Sequence, residues 1–407
     1  FDMGGTSTDA CRFDGDFEYV FEHTVGEAHL MAPALAIESV AAGGGSVCWF
    51  DGQRCRVGPK SAGAFPGPAC YGAGGPLSIT DVNLLLGRLR PDQFEIPIDK
   101  QHAEEALQAL MQRMAQHGGD APAKEALLAG FLDIANERMA DAIRSISVRK
   151  GYDPSDYALL AFGGAGGQHA CAIAELLGMQ TILFPADASL LSAFGIGHAR
   201  IERFASKQVL QPLENCLRQL CIWLDELAEK AIADIEKEGI HRQQIAVRRK
   251  IIHLRYSGQE FSLPIDFTEL ATLQKDFEQK YRDIYGYVPE ERSVEVESVR
   301  VIASENQPLS RATPCAQKSH AATSSDSQSV FFGNGWQNIA VYARDTLQNG
   351  VIFEGPALFF ERHSTLIVHP GWHGRVDNAR TVILEKIEEK KSWQKSQSSP
   401  AMASASM

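Results

Sequence analysis

Residues 157–179 read YALLAFGGAGGQHACAIAELLGM. YALLAF, Tyr157–Phe162, has the short apolar run of a buried strand. Gly163, Gly164, Gly166 and Gly167 follow, and GGQHACAIAELLGM then reads as a helix. A strand that breaks into glycines and reopens as a helix lets backbone come close to a ligand, and a helix N-terminus favours anions. The dinucleotide fingerprint is excluded, because Ala165 and Gln168 stand where GxGxxG requires glycine. A Walker loop is excluded too, since no Gly-Lys-Ser/Thr follows.

A second glycine turn opens the chain as FDMGGTSTDA, Phe1–Ala10. Gly4, Gly5 and Thr6 present successive backbone N–H groups and a hydroxyl to one point, a nest suited to phosphate oxygens. Asp2, just before the turn, is placed to hold Mg²⁺ directly or through water. Phe1 is not an initiator methionine, and the expectation is a piece of a longer chain.

The rest of the chain organises around these turns. Its 407 residues suit two or three domains, and 44% hydrophobic with 22% charged residues is ordinary for a globular protein. A net charge of -12 argues against nonspecific nucleic-acid binding. No apolar run of membrane-spanning length appears. The eight cysteines form no CxxC pair, which suits free thiols in a reducing cytoplasm; Cys70, in PGPACYG, is the one to examine for reactivity.

TSTDACRF and FEYVFEHTV flank DGD as a hairpin would. Residues 37–81 are crowded with Gly, Pro, Ala and Ser, yet their apolar residues argue for a packed loop. TDVNLLLGRL reads as a short helix capped by Thr80 or Asp81. Residues 100–150 are helical, with Leu128, Phe131, Ala135, Met139, Ala142 and Ile146 as one buried stripe. TILFP is a strand and SLLSAFGIGHARI a small-residue helix. A long helix over about 212–238, strands and a helix near 270–285 make an α/β domain over 206–305. Residues 306–329 read as a linker, 330–387 as a small β module, and 388–407 as a disordered tail.

The motifs DMGGTSTD, VAAGGGS, VGPKSAGAFPGPACYGAGGPLSITDVNLLLGRL, GYDPSDYALLAFGGAGGQHACAIAELLGM and SLLSAFGIGHA resemble the hydantoinase/oxoprolinase family in its hydantoinase A half, with GGAGGQHACAIA nearest to the 5-oxoprolinase branch. The order of the two turns and the small-residue helix is similar to the second half of the actin-like (ribonuclease H-like) ATPases. The resemblance is dense over 1–203 and looser beyond. Two expected parts are missing from it: a first phosphate hairpin with its domain, and the hydantoinase B half.

The fold class the resemblance implies is therefore α/β: an actin-like ATPase second domain over 1–205 with a helical insertion at about 100–150, then the α/β domain and the β module. It implies a cytoplasmic, oligomeric, ATP- and Mg²⁺-dependent hydrolase that opens 5-oxoproline to glutamate by phosphorylating the lactam, with the B half as partner and this piece inactive alone. Gly4, Gly5 and Thr6 would cradle phosphate, Asp2 would hold Mg²⁺, and Asp9 or Asp81 would orient the attacking oxygen. Gly163, Gly164, Gly166 and Gly167 would line the adenosine. A hydantoinase A subunit, an ATP-dependent ketone carboxylase subunit, an actin-like nucleotide switch and a degenerate pseudo-enzyme stay open. Plainer readings stand beside these roles. Asp9 satisfies the hairpin, His169 caps or packs a helix, Lys60 is solvated, and His363, His369 and His373 are surface histidines whose spacing fits no metal template.

Overall fold

The computed structural model describes residues 1–387 apart from 22, 26, 27, 31, 95, 118–121, 290, 291, 307–318 and 325. The tail at 388–407 and most of the expected linker therefore lie outside the described residues.

β1 (Asp2–Met3) and β2 (Thr8–Ala10) form a tight antiparallel hairpin, with Asp2 opposite Asp9 and Met3 opposite Thr8. β3 (Glu38–Val40) covers the other edge of β2. The segments flanking DGD do not pair as expected beyond a single Phe13–Phe17 bridge. Thr8 and Ala10 are buried, and β2 gains a full partner on each edge by joining β1 and β3 instead.

β4 (Ser46–Phe50) and β5 (Cys55–Ser61) make a second hairpin. α1 (Ile79–Leu85) begins at Ser78, not at Thr80 or Asp81. Asp81 sits three residues into the helix and accepts from Ser78 N–H and hydroxyl, which fixes the cap one turn earlier. α2 (Lys100–Gln116) is capped by Asp99, which accepts from Gln101 N–H at 2.8 Å. α3 (Lys124–Ile146) buries the whole stripe from Leu128 to Ile146, each member at 7% exposure or less. Each large apolar side chain so buried contributes ~1.5–3 kcal/mol.

β6 (Leu159–Leu160), α4 (Gly166–Leu177) and β7 (Thr181–Phe184) form a parallel strand–helix–strand unit. The opening hairpin joins its free edge. Phe162 N–H donates to Phe1 O at 3.0 Å, and Met3 N–H donates to Phe162 O at 3.1 Å. The two glycine turns thus lie side by side on neighbouring strands. α5 (Leu191–Gly197) follows, with Phe194 and Ile196 exposed.

β8 (Glu202–Pro212), α6 (Leu213–Glu236), β9 (Ile245–Tyr256), β10 (Leu263–Asp266), α7 (Leu273–Tyr285) and β11 (Val294–Glu305) build a second unit. Its antiparallel sheet runs β8-β11-β9-β10. Leu220 and Leu224 of α6 and Phe277 of α7 share one core with Tyr256 and Val299 of the sheet.

β12 (Asp326–Phe332), β13 (Gly335–Ala343), β14 (Val351–Glu354), β15 (Ala357–Glu361), β16 (Ser364–Val368), β17 (Trp372–Val376) and β18 (Val382–Lys386) follow. They do not form the separate module expected at 330–387. β18 pairs antiparallel with β7, Thr181 opposite Glu385, and β17 and β14 extend that sheet. The physical reason is β7. It is an apolar strand with β6 on one edge, and its other edge needs a partner that only the C-terminal strands supply. Ile182, Phe184, Trp372 and Leu384 consequently belong to one core.

α4 lies on β16 so closely that a side chain on Gly167 would begin 2.6 Å from Thr365 O and 2.8 Å from the Phe184 ring. Gly167→Ala should therefore push helix and strand apart and cost about 1–3 kcal/mol. Urea unfolding measures this directly; an unchanged midpoint would show that α4 is free to slide.

Candidate functional site

The turn of the opening hairpin is closed by Gly4 N–H donating to Ser7 O at 3.1 Å. Its carbonyls are taken by the glycine triplet after β3: Gly44 N–H reaches Gly4 O at 3.1 Å and Gly45 N–H reaches Gly5 O at 2.6 Å. A side chain on Gly43 would begin 2.7 Å from Gly5 C, so only glycine permits this contact. With its carbonyls held on that side, the turn keeps the N–H groups of Gly5 and Thr6 without an acceptor among the described residues. Two adjacent N–H groups without acceptors at an exposed turn have the geometry of a nest, which suits an anion.

Beside the nest is a cleft of about 350 Å³. Gly4, Gly5 and Gly44 form its floor, and Gly164, Ala165 and Gln168 one side. Leu89, Phe94 and Ile96 line another part, and the turn Glu361–Thr365 between β15 and β16 closes it. The structure thus brings Gly4, Gly5 and Gly164 together.

The other glycines of the second turn have packing duties. Gly163 has φ 83°, and a side chain there would begin 2.4 Å from Asp2 Oδ1 and from Met3 O. Gly166 faces the Phe1 ring, and Gly167 faces β16. None of the three lines the cleft. Of the four glycines expected to border the adenosine, only Gly164 lines the cleft among the described residues.

The carboxylates separate in the same way. Asp2 is half-buried and accepts from Ser192 Oγ of α5 at 2.5 Å. Asp9, exposed and directly across the hairpin from Asp2, accepts from Ser39 Oγ at 2.5 Å. Thr6 stands at the exposed tip. Asp81 cannot orient an attacking oxygen. It is fully buried, and its two oxygens accept from Ala69 N–H at 3.1 Å, Cys70 N–H at 2.8 Å, Ser78 N–H at 2.7 Å and Ser78 Oγ at 2.8 Å. It is a buckle across the base of the loop 69–78. Burial, with Asp81 beside it, raises the Cys70 thiol well above its ordinary value, so this cysteine is not a reactive thiolate.

His169 is likewise structural. Its Nδ1 lies 2.7 Å from Asn136 Oδ1 and its Nε2 lies 3.5 Å from Asn83 Nδ2. Burial, and then the charges of Arg88 and His369, push its pKa down to about 3. His369 lies 3.5 Å from Glu175 and His373 lies 3.4 Å from Glu385, while His363 borders the cleft, so the three do not gather. No group of three or more metal-ligating side chains occurs among the described residues. Lys60 is exposed.

Sequence reasoning missed Phe94, Ile96 and the turn after β15. FFERHSTLIV reads as strand, turn and strand, and nothing local in it points to a cleft.

A family model described as hydantoinase/oxoprolinase matches residues 1–204, and one described as hydantoinase/oxoprolinase C-terminal domain matches residues 211–387. The chain belongs to the hydantoinase/oxoprolinase family. The 5-oxoprolinase of Saccharomyces cerevisiae is 33% identical over 96% of this chain and 32% of its own length. The crystal structure of the ATP-dependent caprolactamase from Pseudomonas jessenii superposes with a TM-score of 0.85 at 29% identity, over 95% of this chain and 58% of that one. Nucleotide-free acetone carboxylase shares the fold, with a TM-score of 0.68 at 23% identity. The chain thus spans between about a third and three-fifths of these relatives. No helix among the described residues is long and apolar enough to cross a membrane.

The buried His169 makes a pH test possible. Its folded-state pKa of about 3 lies below the ordinary 6.5, so folding favours the neutral ring. Its contribution to stability is complete above pH 6.5 and is lost as pH falls from there towards 3. Urea midpoints between pH 4 and 8 should fall on the acid side, and His169→Gln should flatten that slope. An equal slope in the variant would remove His169 as its source.

Proposed function

We propose that this chain is the nucleotide-binding part of an ATP-dependent cyclic-amide hydrolase of the hydantoinase/oxoprolinase family, with 5-oxoproline as substrate and glutamate as product. The observation that carries the reading is the N–H nest of Gly5 and Thr6 at the mouth of a cleft lined by glycine backbone. The names of the family relatives support the choice of substrate and of ATP. The fold is read as the second half of an actin-like ATPase, and a hydantoinase B half is the partner that completes the reaction.

The chemistry follows from the lactam. Amide resonance makes its carbonyl carbon a poor electrophile, and a five-membered ring recloses readily. Transfer of the γ-phosphoryl group forms a bond from the carbonyl oxygen to phosphorus and breaks the bond to ADP. Water then adds to the activated carbon, the ring C–N bond opens as the nitrogen takes a proton, and the acyl phosphate left behind is cleaved by a second water to the carboxylate and phosphate. The work of this chain is positioning and charge stabilisation. Gly5 and Thr6 N–H groups hold phosphate oxygens, and Gly164 lets the nucleoside lie against backbone.

Mg²⁺ fits one observation. Asp2 and Asp9 are direct cross-strand partners, so their carboxylates share one face of the hairpin, where like charges repel unless a cation lies between or near them. Asp2 would hold the ion with Asp9 nearby, and Mg²⁺ would supply charge neutralisation for the phosphates.

Two measurements test this. Gly164 lies outside the left-handed region, and a side chain there would begin 3.2 Å from His363 O, inside the cleft mouth. Gly164→Val should thus weaken ATP binding at least about tenfold, through steric exclusion rather than misfolding; unchanged affinity in a normally melting variant sinks the cleft assignment. Asp2→Asn should raise the Mg²⁺ concentration needed for ATP binding, and an unaltered requirement removes Asp2 from the ion. In the assembly with the B half, 5-oxoproline should stimulate ADP release. Stimulation by caprolactam instead would favour a second reading, a larger-ring lactamase, which the 0.85 TM-score to caprolactamase supports.

A further inference from the structure

The part of the cleft beyond the hairpin is built from two segments with no role so far. One leaves α1 and contributes Phe94, which packs partly against the main core, and Ile96, which is 46% exposed. The other is the turn after β15, carrying Glu361, Arg362 and His363. The two segments are fastened to each other. Arg90 lies over the Phe360 ring at 5.5 Å, and Phe331 N–H of β12, which joins the same sheet through β13, donates to Leu86 O at 2.9 Å. The turn also overhangs the glycine loop, since His363 O comes within 3.2 Å of where a Gly164 side chain would start.

The lining therefore changes character along the cleft. At the hairpin it is bare backbone with free N–H groups. Elsewhere Leu89, Phe94 and Ile96 make the lining apolar and aromatic, and among the described residues Arg362 is the only Lys or Arg lining the cleft. A phosphate chain gains nothing from Phe94 and Ile96, and the neighbouring Glu361 repels it. A flat neutral π-system gains from both, because an aromatic or aliphatic face suits one side of it and a guanidinium plane stacks on the other.

We propose that Phe94 and Arg362 clamp the base of the bound nucleotide, so that the C-terminal turn supplies the base subsite of the cleft. The proposal rests on the nucleotide reading given above. It makes Phe94 and Arg362 specificity-determining residues, and it assigns the phosphate end to the backbone of Gly5 and Thr6.

The test compares ATP, adenosine and inorganic tripolyphosphate in direct titrations against the wild-type chain, Arg362→Met, Phe94→Ala and Phe94→Leu. Arg362→Met and Phe94→Ala should each weaken ATP and adenosine by about tenfold while leaving tripolyphosphate unchanged. Phe94→Leu keeps the apolar packing and should show a smaller loss of the same pattern, which guards against a Phe94→Ala chain that misfolds. Equal weakening of ATP and tripolyphosphate in Arg362→Met would make Arg362 a phosphate ligand and overturn the clamp. Unchanged affinities in both Arg362→Met and Phe94→Leu would overturn it as well. A wild-type chain that binds tripolyphosphate and ATP equally, with no affinity for adenosine, overturns the base subsite but leaves the phosphate nest standing. A chain that binds none of the three overturns the nucleotide reading and the clamp together.

Discussion

Three stretches of backbone meet where no side chain fits, and the cleft depends on that meeting. Gly163 lies against Asp2 and Met3, and Gly43 lies against Gly5. Gly44 and Gly45 bond the carbonyls of Gly4 and Gly5 from one side. With the carbonyls held, the N–H groups of the turn face the other way. A hairpin alone would leave that orientation to fluctuation, and anchoring it on two sides makes the donors a fixed nest. The same contacts hold β1 beside Phe162, so backbone hydrogen bonds join the opening hairpin to the loop into α4.

The parts legible in the sequence were those with local causes. The α3 stripe from Leu128 to Ile146 follows from steps of three and four, and strand 181–184 follows from a short apolar run. Gly-Gly-Thr announces a nest because the donors are consecutive. What the sequence concealed was set by distant partners. Gly163, Gly166 and Gly167 look alike on paper, yet each accommodates a different neighbour: the hairpin, the Phe1 ring and β16. Asp81 looked like a free carboxylate because its partners Ala69 and Cys70 lie twelve and eleven residues upstream. Arg362 stood in an ordinary strand–turn–strand text, and only the docking of β16 on α4 carries it over the glycine loop.

That docking also explains why the C-terminal strands are no independent module. Glu175 of α4 accepts from Trp372 Nε1 at 2.9 Å and from Lys386 Nζ at 2.6 Å, and His369 lies 3.5 Å away. Burial alone would raise this carboxyl, but His369, Lys386 and Trp372 outweigh it and hold it at about 2. One side chain of α4 thus fastens the end of β16, the start of β17 and the end of β18. The turn that closes the cleft is positioned by these contacts, although it lies about 200 residues from the glycine loop it covers.

The hairpin itself carries an electrostatic tension that its sequence does not relieve. Asp2 and Asp9 face each other across two short strands; Asp2 accepts from the Ser192 hydroxyl and Asp9 from the Ser39 hydroxyl. Hydroxyls stabilise carboxylates by hydrogen bonding but bring no opposite charge. An acidic pair at the base of an N–H nest is unfavourable for anions until a cation is present, and favourable afterwards. The nest would draw a polyphosphate in, the carboxylate pair would hold it off, and a divalent ion reconciles the two. On the proposed nucleotide reading, the hairpin would favour the metal-bound form of a nucleotide through the balance of its own charges, with Asp2 as the residue that would hold the ion.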